Sequence, residues 1–403
     1  TRAVGRQVVE RWLAETRVAR DALRFSLPPS QLRVGAGDVV RLAEGEARGL
    51  FRIDRVEQSG AQLLEAVRIE PETYRPIEVE EEASSLTPFA APVPVLPLFM
   101  DLPLLTGDEV PHAPHLALSA KPWPGSVALY DSVSDSDFAL NKLFAARSTI
   151  GVTQTTLAAS RPGMIDRGTG LQVKLLSGQL ASLDRQSLLA GGNIAAIGDG
   201  TPDNWELFQF ETADLIDTDT YLLSNRLRGQ LGTDAVMPDV WPEGSYVVIL
   251  NAAISQIELA SSARNVSHHY RVGPAKRGYD DPSYVALQHA FAGNGLRPYS
   301  PVHLRSYHDT DGAWLFEWVR RTRLDGDSWE AAEVPLAEET ETYLLRVVQG
   351  AEVLREVVLE TSGYVYDAAE QASDGITGAF RIEVAQVSAR YGAGPFKGID
   401  IAA

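Results

Sequence analysis

The 403-residue sequence contains no cysteine. This absence excludes disulfide scaffolds, thiolate zinc sites, Cys-ligated iron–sulfur clusters and a cysteine nucleophile. There is no run of 18 apolar residues, which argues against a membrane-spanning helix. Basic residues are scarce, with 36 Lys and Arg against 54 Asp and Glu, so the net charge is −18. Sequence-specific DNA binding is therefore disfavoured, because affinity for duplex DNA depends on basic contacts with phosphates.

Strong catalytic motifs are missing as well. The sequence has no G-x-S-x-G, H-E-x-x-H, P-loop or G-x-G-x-x-G pattern. Acidic clusters occur at 131–137, 214–219 and 338–341, and we interpret them as hydrated surface rather than a calcium loop or a glycosidase carboxylate pair. His268 and His269 are adjacent, so a strand would direct them to opposite faces and away from a shared metal. No catalytic, metal-binding or cofactor-binding residue is predicted.

Apolar residues make up 44% of the chain, enough for packed cores. At 100–200 residues per domain, the length predicts two to four domains. The first residue is Thr1 rather than Met, so we expect the sequence to be a fragment of a longer protein.

Residues 1–75 carry a net charge of +2 and predict a helix followed by a small β-barrel. Apolar residues at helical spacing, including Trp12, Leu13 and Phe25, predict an amphipathic helix over about residues 3–24. Its apolar face exceeds what a module of this size needs. We therefore expect Trp12, Leu13 and Phe25 to contribute to an assembly surface.

Residues 76–115 contain seven acids and no Lys or Arg, and the part of this segment from Pro88 onward is rich in proline. The prolines argue against a helix or a central strand. Apolar residues lie between them, so we predict an extended, irregular strap on a neighbouring domain or chain. Phe89, Leu96 and Phe99 are its candidate anchoring residues.

Residues 116–295 are predicted to form a central β-rich domain, with one short helix at 138–144. Its basic segment begins at Arg226 and Arg228 and contains glycines that permit a tight turn. We interpret these two arginines as clamps for carboxylates across an interface between subunits or domains.

Residues 296–403 show seven short strand patterns, which is typical of a β-sandwich. Trp318 is predicted to lie in its core. The ending at 384–395 resembles the last strands of a fibronectin type III domain. The predicted fold class is therefore mainly β throughout, apart from the N-terminal helix.

Several segments together resemble one protein family. These are Phe25–Ser30, Trp205–Phe210, Leu222–Thr233, Trp318–Arg323 and Gln386–Pro395. The first lies in a passage similar to the hub-type module of putative phage tail proteins. Together they resemble the C-terminal part of the baseplate multidomain ("megatron") tail-tip protein of gene transfer agents and related siphophages.

The resemblance implies a homotrimer that closes the distal end of the tail of a virion-like particle. Its implied partners are other tail-tip, hub and distal tail proteins, translocating DNA without sequence readout, and the recipient cell envelope. It implies no cofactor. The glycosidase-like domain of these relatives lies upstream of the matched part, so the resemblance brings no enzymatic activity to this chain.

Two alternatives to a structural hub remain open from the sequence. An enzyme that degrades envelope polysaccharide would need two facing carboxylates, one with a raised pKa. A carbohydrate-binding receptor module would present a row of exposed aromatic residues, for which the candidates are Trp123, Trp241, Trp314 and Trp329.

Overall fold

The computed structural model describes residues 2–43, 48–75, 93–326 and 333–402. The chain divides into two compact units, Thr1–Phe89 and Ala90–Ala403. The predicted fold class is confirmed, since the structure is mainly β with one long N-terminal helix. Among the described helices, none is both long and apolar enough to cross a membrane.

The N-terminal unit consists of a helix and an antiparallel sheet. Its elements are α1 (Arg2–Val18), β1 (Ala22–Leu27), β2 (Val39–Leu42), β3 (Gly49–Ser59) and β4 (Ala61–Ile69). The strands pair in the order β1-β4-β3-β2. Phe51, Ile53, Leu64 and Ala66 form the centre of the core.

The helix predicted over residues 3–24 is too long, because α1 ends at Val18. Leu23, Phe25 and Leu27 lie in β1 instead and pack on the core of the sheet. They alternate with more exposed residues at a period of two, and β1 pairs along its whole length with β4. Pairing with β4 therefore outweighs the apparent helical spacing of these residues.

The second unit begins with strands, a barrel and further strands. In chain order these are β5 (Leu96–Met100), β6 (His115–Ser119), β7 (Val127–Ser132), β8 (Ala139–Phe144), β9 (Ile150–Thr153), β10 (Leu157–Ala158), β11 (Ile165–Asp166), β12 (Leu171–Leu175), α2 (Arg185–Leu189), β13 (Ile194–Gly198), β14 (Trp205–Asp217), β15 (Thr220–Leu227), β16 (Val240–Trp241), β17 (Tyr246–Ile249), β18 (Ser255–Gln256), β19 (His268–Pro274) and β20 (Val285–His289).

Two sequence predictions fail in this region. The strap is not irregular throughout, because β5 pairs with β6 at the edge of the sheet β18-β6-β5. Pro97 is tolerated there because an edge strand has one side free of ladder hydrogen bonds. The predicted helix at 138–144 is the strand β8, whose register with β7 shifts between Leu129 and Tyr130. That irregularity disturbs the period of two by which a strand is recognised.

Six strands of the central region close into an antiparallel barrel. The order is β15-β12-β9-β17-β13-β14, and β14 pairs back with β15. Its interior is filled by apolar side chains that include Val173, Phe208, Phe210 and Leu223. The sequence predicted a β-rich domain here but did not identify the closed barrel.

The C-terminal part is a sandwich of two sheets. Its elements are β21 (Val302–His308), β22 (Trp314–Val319), β23 (Tyr343–Gln349), β24 (Glu352–Leu359), β25 (Gly363–Tyr366), α3 (Ala368–Asp374), β26 (Phe380–Ser388), β27 (Gly392–Ala393) and β28 (Lys397–Ile401). One sheet has the order β21-β22-β25; in the other, β24, β23, β26 and β28 follow one another. This three-plus-four arrangement is that of a fibronectin type III-like sandwich, and Trp318 lies in its core as predicted.

Candidate functional site: an exposed helix face and a buried charge cluster

One side of α1 presents apolar side chains to solvent. Val8, Val9, Trp12 and Leu13 are 62%, 52%, 70% and 63% exposed, and we call them the exposed helix face. At 100° per residue they span one side of the helix. A contiguous apolar surface of this kind marks an interaction site more often than an ordinary solvated surface.

Polar contacts join other side chains of α1. Arg6 pairs with Glu10 at 2.8 Å, and Arg11 pairs with Glu15 at 3.3 Å. The Arg11 guanidinium also lies 5.0 Å from the centre of the Tyr74 ring. These i,i+4 pairs support the helix and leave its apolar face uncovered.

The barrel buries a cluster of charged side chains at the end of β15. Arg228 donates from Nε to Glu206 Oε1 at 2.6 Å and from Nη2 to Glu206 Oε2 at 2.7 Å. Arg226 donates from Nε to Asp166 Oδ2 at 3.0 Å. The side chains of Arg226, Arg228 and Glu206 are 1%, 0% and 0% exposed. We call these four residues the buried charge cluster.

The buried charge cluster is satisfied by polar partners of the same chain. Glu206 also accepts hydrogen bonds from the Gly229 backbone N–H and from Trp241 Nε1. Arg226 donates to the carbonyl of Thr169, and Arg228 donates to that of Ala158. Burying ions is costly unless their remaining donors and acceptors are paired, and here they are paired.

The glycines that follow Arg228 are required by the turn. Gly229 has φ +60°, and a Cβ there would lie 2.7 Å from Asp234 Cβ. Gly232 has φ +77°, and a Cβ would lie 2.4 Å from the Tyr299 ring. Both positions combine a left-handed backbone with close packing, so the tight turn predicted from the sequence is confirmed.

The predicted assembly residues fall into two groups. Trp12 and Leu13 face solvent on α1. The others pack within the chain: Phe25 lies on β1, Leu96 and Phe99 lie on β5, and Phe99 contacts Tyr270 and Phe291. Phe89 lies outside the described residues.

The ion pairs predicted for Arg226 and Arg228 across an interface are instead intramolecular. Their carboxylate partners, Asp166 and Glu206, were missed. A signal for Glu206 is present in the sequence, because it is the one acid in the otherwise apolar or neutral run Trp205–Phe210. An acid at such a position requires a buried cationic partner.

The tryptophans proposed for carbohydrate recognition do not form an exposed row. Trp241 is buried in the barrel, Trp314 packs on the sandwich core and Trp123 packs on the core beside β5 and β6. Trp329 lies outside the described residues. The rings of Trp123, Trp241 and Trp314 are used for packing.

The acids and histidines examined in the sequence form no metal cluster in the described ranges, where no three His, Cys, Asp or Glu side chains come together suitably. Glu338 pairs with Arg323, and Asp135 pairs with Arg271. His269 Nδ1 lies 3.8 Å from Asp135.

Asp101 and His115 are buried, and both have shifted pKa values. Burial raises the pKa of Asp101 to about 6, although its carboxylate accepts backbone hydrogen bonds from Gly293 and Asn294. Burial lowers the pKa of His115 to about 4.

Two family models match parts of this chain. Residues 1–56, which contain α1, match the model described as putative phage tail protein. Residues 148–248, which contain the barrel, match the model described as Rcc01698-like, C-terminal. No curated protein has a significant match to the chain.

A chain from the virion of a native gene transfer agent particle is 57% identical over the matched part, with a TM-score of 0.19. The match covers 20% of this chain and 19% of the virion chain, so it spans about a fifth of that relative. The match to the phage tail model shows that residues 1–56 are similar to putative phage tail proteins.

Structures with fibronectin type III domains are also similar. A two-domain segment of chicken tenascin is 10% identical, covers 62% of this chain and 99% of its own, and has a TM-score of 0.19. The three-domain segment of chicken CNTN1 is 10% identical, covers 77% and 99%, and has a TM-score of 0.20. Scores this low carry no weight, and the sandwich is assigned from its strand order.

Proposed function

We propose that this chain is a structural component of the hub at the tip of a phage-like tail. In this proposal three copies close the distal end of the tail, surround the conduit for DNA ejection and contact the recipient envelope. The chain acts without enzymatic activity. The observation that carries the proposal is the exposed helix face, which lies in the segment that matches the phage tail model.

The exposed helix face has the chemistry of a contact between subunits. Fully burying a large apolar side chain contributes roughly 1.5–3 kcal/mol. At 100° per residue Trp12 and Val9 lie at the centre of this face, and Trp is enriched among the residues that dominate interface energies. A closed oligomer would remove the face from water in every copy.

The charge of the chain suits a conduit for DNA. The net charge of −18 gives a wall that repels phosphates, so DNA can slide past it. A basic wall would retain the genome through phosphate contacts. The conduit is the part of the proposal that depends on the oligomer, because only several copies can surround DNA.

The deciding experiment measures the mass of the chain in solution. We expect the wild type to have three times the mass of one 43.8 kDa chain by native mass spectrometry, and Trp12→Asp to remain monomeric. Leu189→Asp is the matched control, because Leu189 is 69% exposed but lies on α2 of the barrel region. A monomeric wild type, or a trimeric Trp12→Asp protein, would contradict the proposal.

The absence of catalysis has a separate test. The chain is incubated with purified peptidoglycan, and soluble fragments are measured by chromatography. We expect no release above the buffer control. Release of muropeptides would favour the enzymatic alternative, whatever the oligomeric state.

A further inference from the structure

The outer face of the sheet β21-β22-β25 contains a shallow groove of about 640 Å³. We call it the sandwich groove. Side chains that point away from the core line it because alternate residues of a strand face opposite sides. They come from all three strands and from the turn before β25: His303, Arg305, Leu315, Glu317, Val319, Thr361, Ser362 and Val365.

Three polar side chains of the sandwich groove have no partner among the described residues. Arg305 and Glu317 are directly opposite in the ladder between β21 and β22, yet neither forms an ion pair or a side-chain hydrogen bond there. The side chain of His303 has no hydrogen bond there either. Other arginines of the sandwich do pair with carboxylates; these are Arg320, Arg321, Arg323, Arg346, Arg355, Arg381 and Arg390.

The backbone directs His303 in an unusual way. The register of β21 against β22 shifts between Val302 and Arg305, and His303 has φ +52°. A bulge of this kind re-aims a side chain and is common beside functional sites. It leaves the imidazole exposed next to Arg305.

Beside the polar residues runs an exposed apolar row. Tyr307 is paired with Leu315 across the strands, and Leu315 is paired with Val365. The three side chains are 47%, 36% and 55% exposed. A sheet face turned to water normally carries polar residues, so this row is not explained by packing of the sandwich itself.

We propose that the sandwich groove binds a neutral polysaccharide chain. Arg305 supplies donors, Glu317 supplies acceptors and His303 supplies one of each when neutral, which matches hydroxyl groups that both donate and accept. The apolar row matches the C–H faces of sugar rings, and Tyr307, which is paired with Leu315, extends this row beyond the groove with an aromatic surface. The Arg305 and Glu317 charges cancel, so an uncharged ligand fits better than a nucleic acid, which needs basic contacts.

This site differs from the row of tryptophans predicted from the sequence, and it does not depend on the trimer. The sandwich groove lies in the second unit, whereas the exposed helix face lies in the first. A wild-type protein that forms the trimer but binds no polysaccharide would contradict this inference alone. Binding by a monomeric protein would contradict the proposed function alone.

The test uses the full chain and affinity electrophoresis in gels that contain dextran, mannan or galactan. We expect at least one of these polysaccharides to retard the wild type. Arg305→Gln and Glu317→Gln should each weaken binding about tenfold or more, because each removes hydrogen bonds to a charged group. Tyr307→Ala should weaken binding about threefold.

Glu352→Gln and Val358→Ala are the matched controls, because both residues are exposed on β24 of the other sheet. We expect them to bind as the wild type does. Thermal unfolding verifies that every variant is folded. No retardation by any of the three polysaccharides, or equal retardation of wild type and a folded Arg305→Gln/Glu317→Gln variant, overturns the proposal. If the groove variants instead change the mass in light scattering, the groove is a protein interface and the proposal is wrong.

Discussion

In the first unit apolar side chains of α1 face water, whereas in the barrel of the second unit charged side chains are fully buried. Each arrangement is unfavourable unless something compensates for it. In the barrel the compensation is present, because Glu206 accepts hydrogen bonds from Arg228, Gly229 and Trp241 of the same chain. On α1 the Trp12 side chain remains 70% exposed among the described residues.

This difference distinguishes residues that stabilise the fold of one chain from residues that are available to a partner. The buried charge cluster fixes the register of β14 and β15 and the turn at Gly229. It is therefore expected to matter for stability. The exposed helix face contributes little to the fold of one chain and is expected to matter for assembly.

The largest effect is expected from breaking the buried charge cluster. Arg228→Ala leaves Glu206 buried and without its cation, and such changes cost about 3–5 kcal/mol. The free energy of unfolding, measured by denaturant titration, should fall by that amount.

Arg185→Ala is the control for this variant. Arg185 pairs with Glu211 at 2.6 Å, but its side chain is 42% exposed, so its loss should lower the free energy of unfolding much less than the loss of Arg228. Equal effects of the two variants would mean that burial does not distinguish these ion pairs.

The second effect is a pH dependence of stability, to which the buried side chains of Asp101 and His115 contribute with opposite signs. The Asp101 pKa is about 6 when folded, above its ordinary value of 3.8, so the folded state takes up a proton first and stability rises as the pH falls through 6. The His115 pKa is about 4 when folded, below 6.5, so its contribution is present above pH 6.5 and is lost as the pH falls toward 4. Each shift corresponds to roughly 3 kcal/mol.

Single variants separate the contributions of Asp101 and His115 to the slope of the free energy of unfolding against pH. Between pH 6.5 and 4, Asp101→Asn should lose stability more steeply than the wild type as the pH falls. His115→Asn should lose less stability, or gain it. The measurement is the free energy of unfolding at several pH values, and variants that keep the slope of the wild type would contradict both assignments.

The sequence predicts those elements whose pattern is local. The short strand patterns of residues 296–403 predict the sandwich, which contains the strands Gly363–Tyr366 and Lys397–Ile401, and Trp318 lies in its core as predicted. The predictions are wrong where pairing between distant segments determines the secondary structure. The spacing of Leu23 and Phe25 predicts a helix, but both residues lie in β1 because that strand pairs with β4.

In the candidate site, too, local features are predicted from the sequence and long-range partners are missed. Trp12 and Leu13 are predicted to contribute to an assembly surface, and both are exposed among the described residues. The partners of Arg226 and Arg228 are 60 and 22 residues away along the chain, so sequence spacing alone does not identify them. The bulge at His303 has no signal in the residue types around it.

A moderate effect is expected where the sandwich meets the barrel region. Arg321 donates to both carboxylate oxygens of Asp234, at 2.9 and 3.2 Å, and to the Ser300 hydroxyl at 2.8 Å. Arg321→Gln should lower the free energy of unfolding by about 1.5–3 kcal/mol, since hydrogen bonds to charged groups are lost. Proteolysis near residues 295–300 should become faster, and an unchanged cleavage rate would argue that this contact does not hold the sandwich in place.

The smallest effect on stability is expected at the exposed helix face. Trp12 is 70% exposed, and substitutions at exposed positions usually change stability by about 0.5 kcal/mol or less. In a solution dilute enough to be monomeric, Trp12→Asp should therefore unfold at nearly the same denaturant concentration as the wild type. At higher concentration the wild type should gain stability by mass action while the variant does not, because only the wild type associates. A large loss in the monomer would show that Trp12 belongs to the core of its own unit, and the contrast with the buried charge cluster would then be wrong.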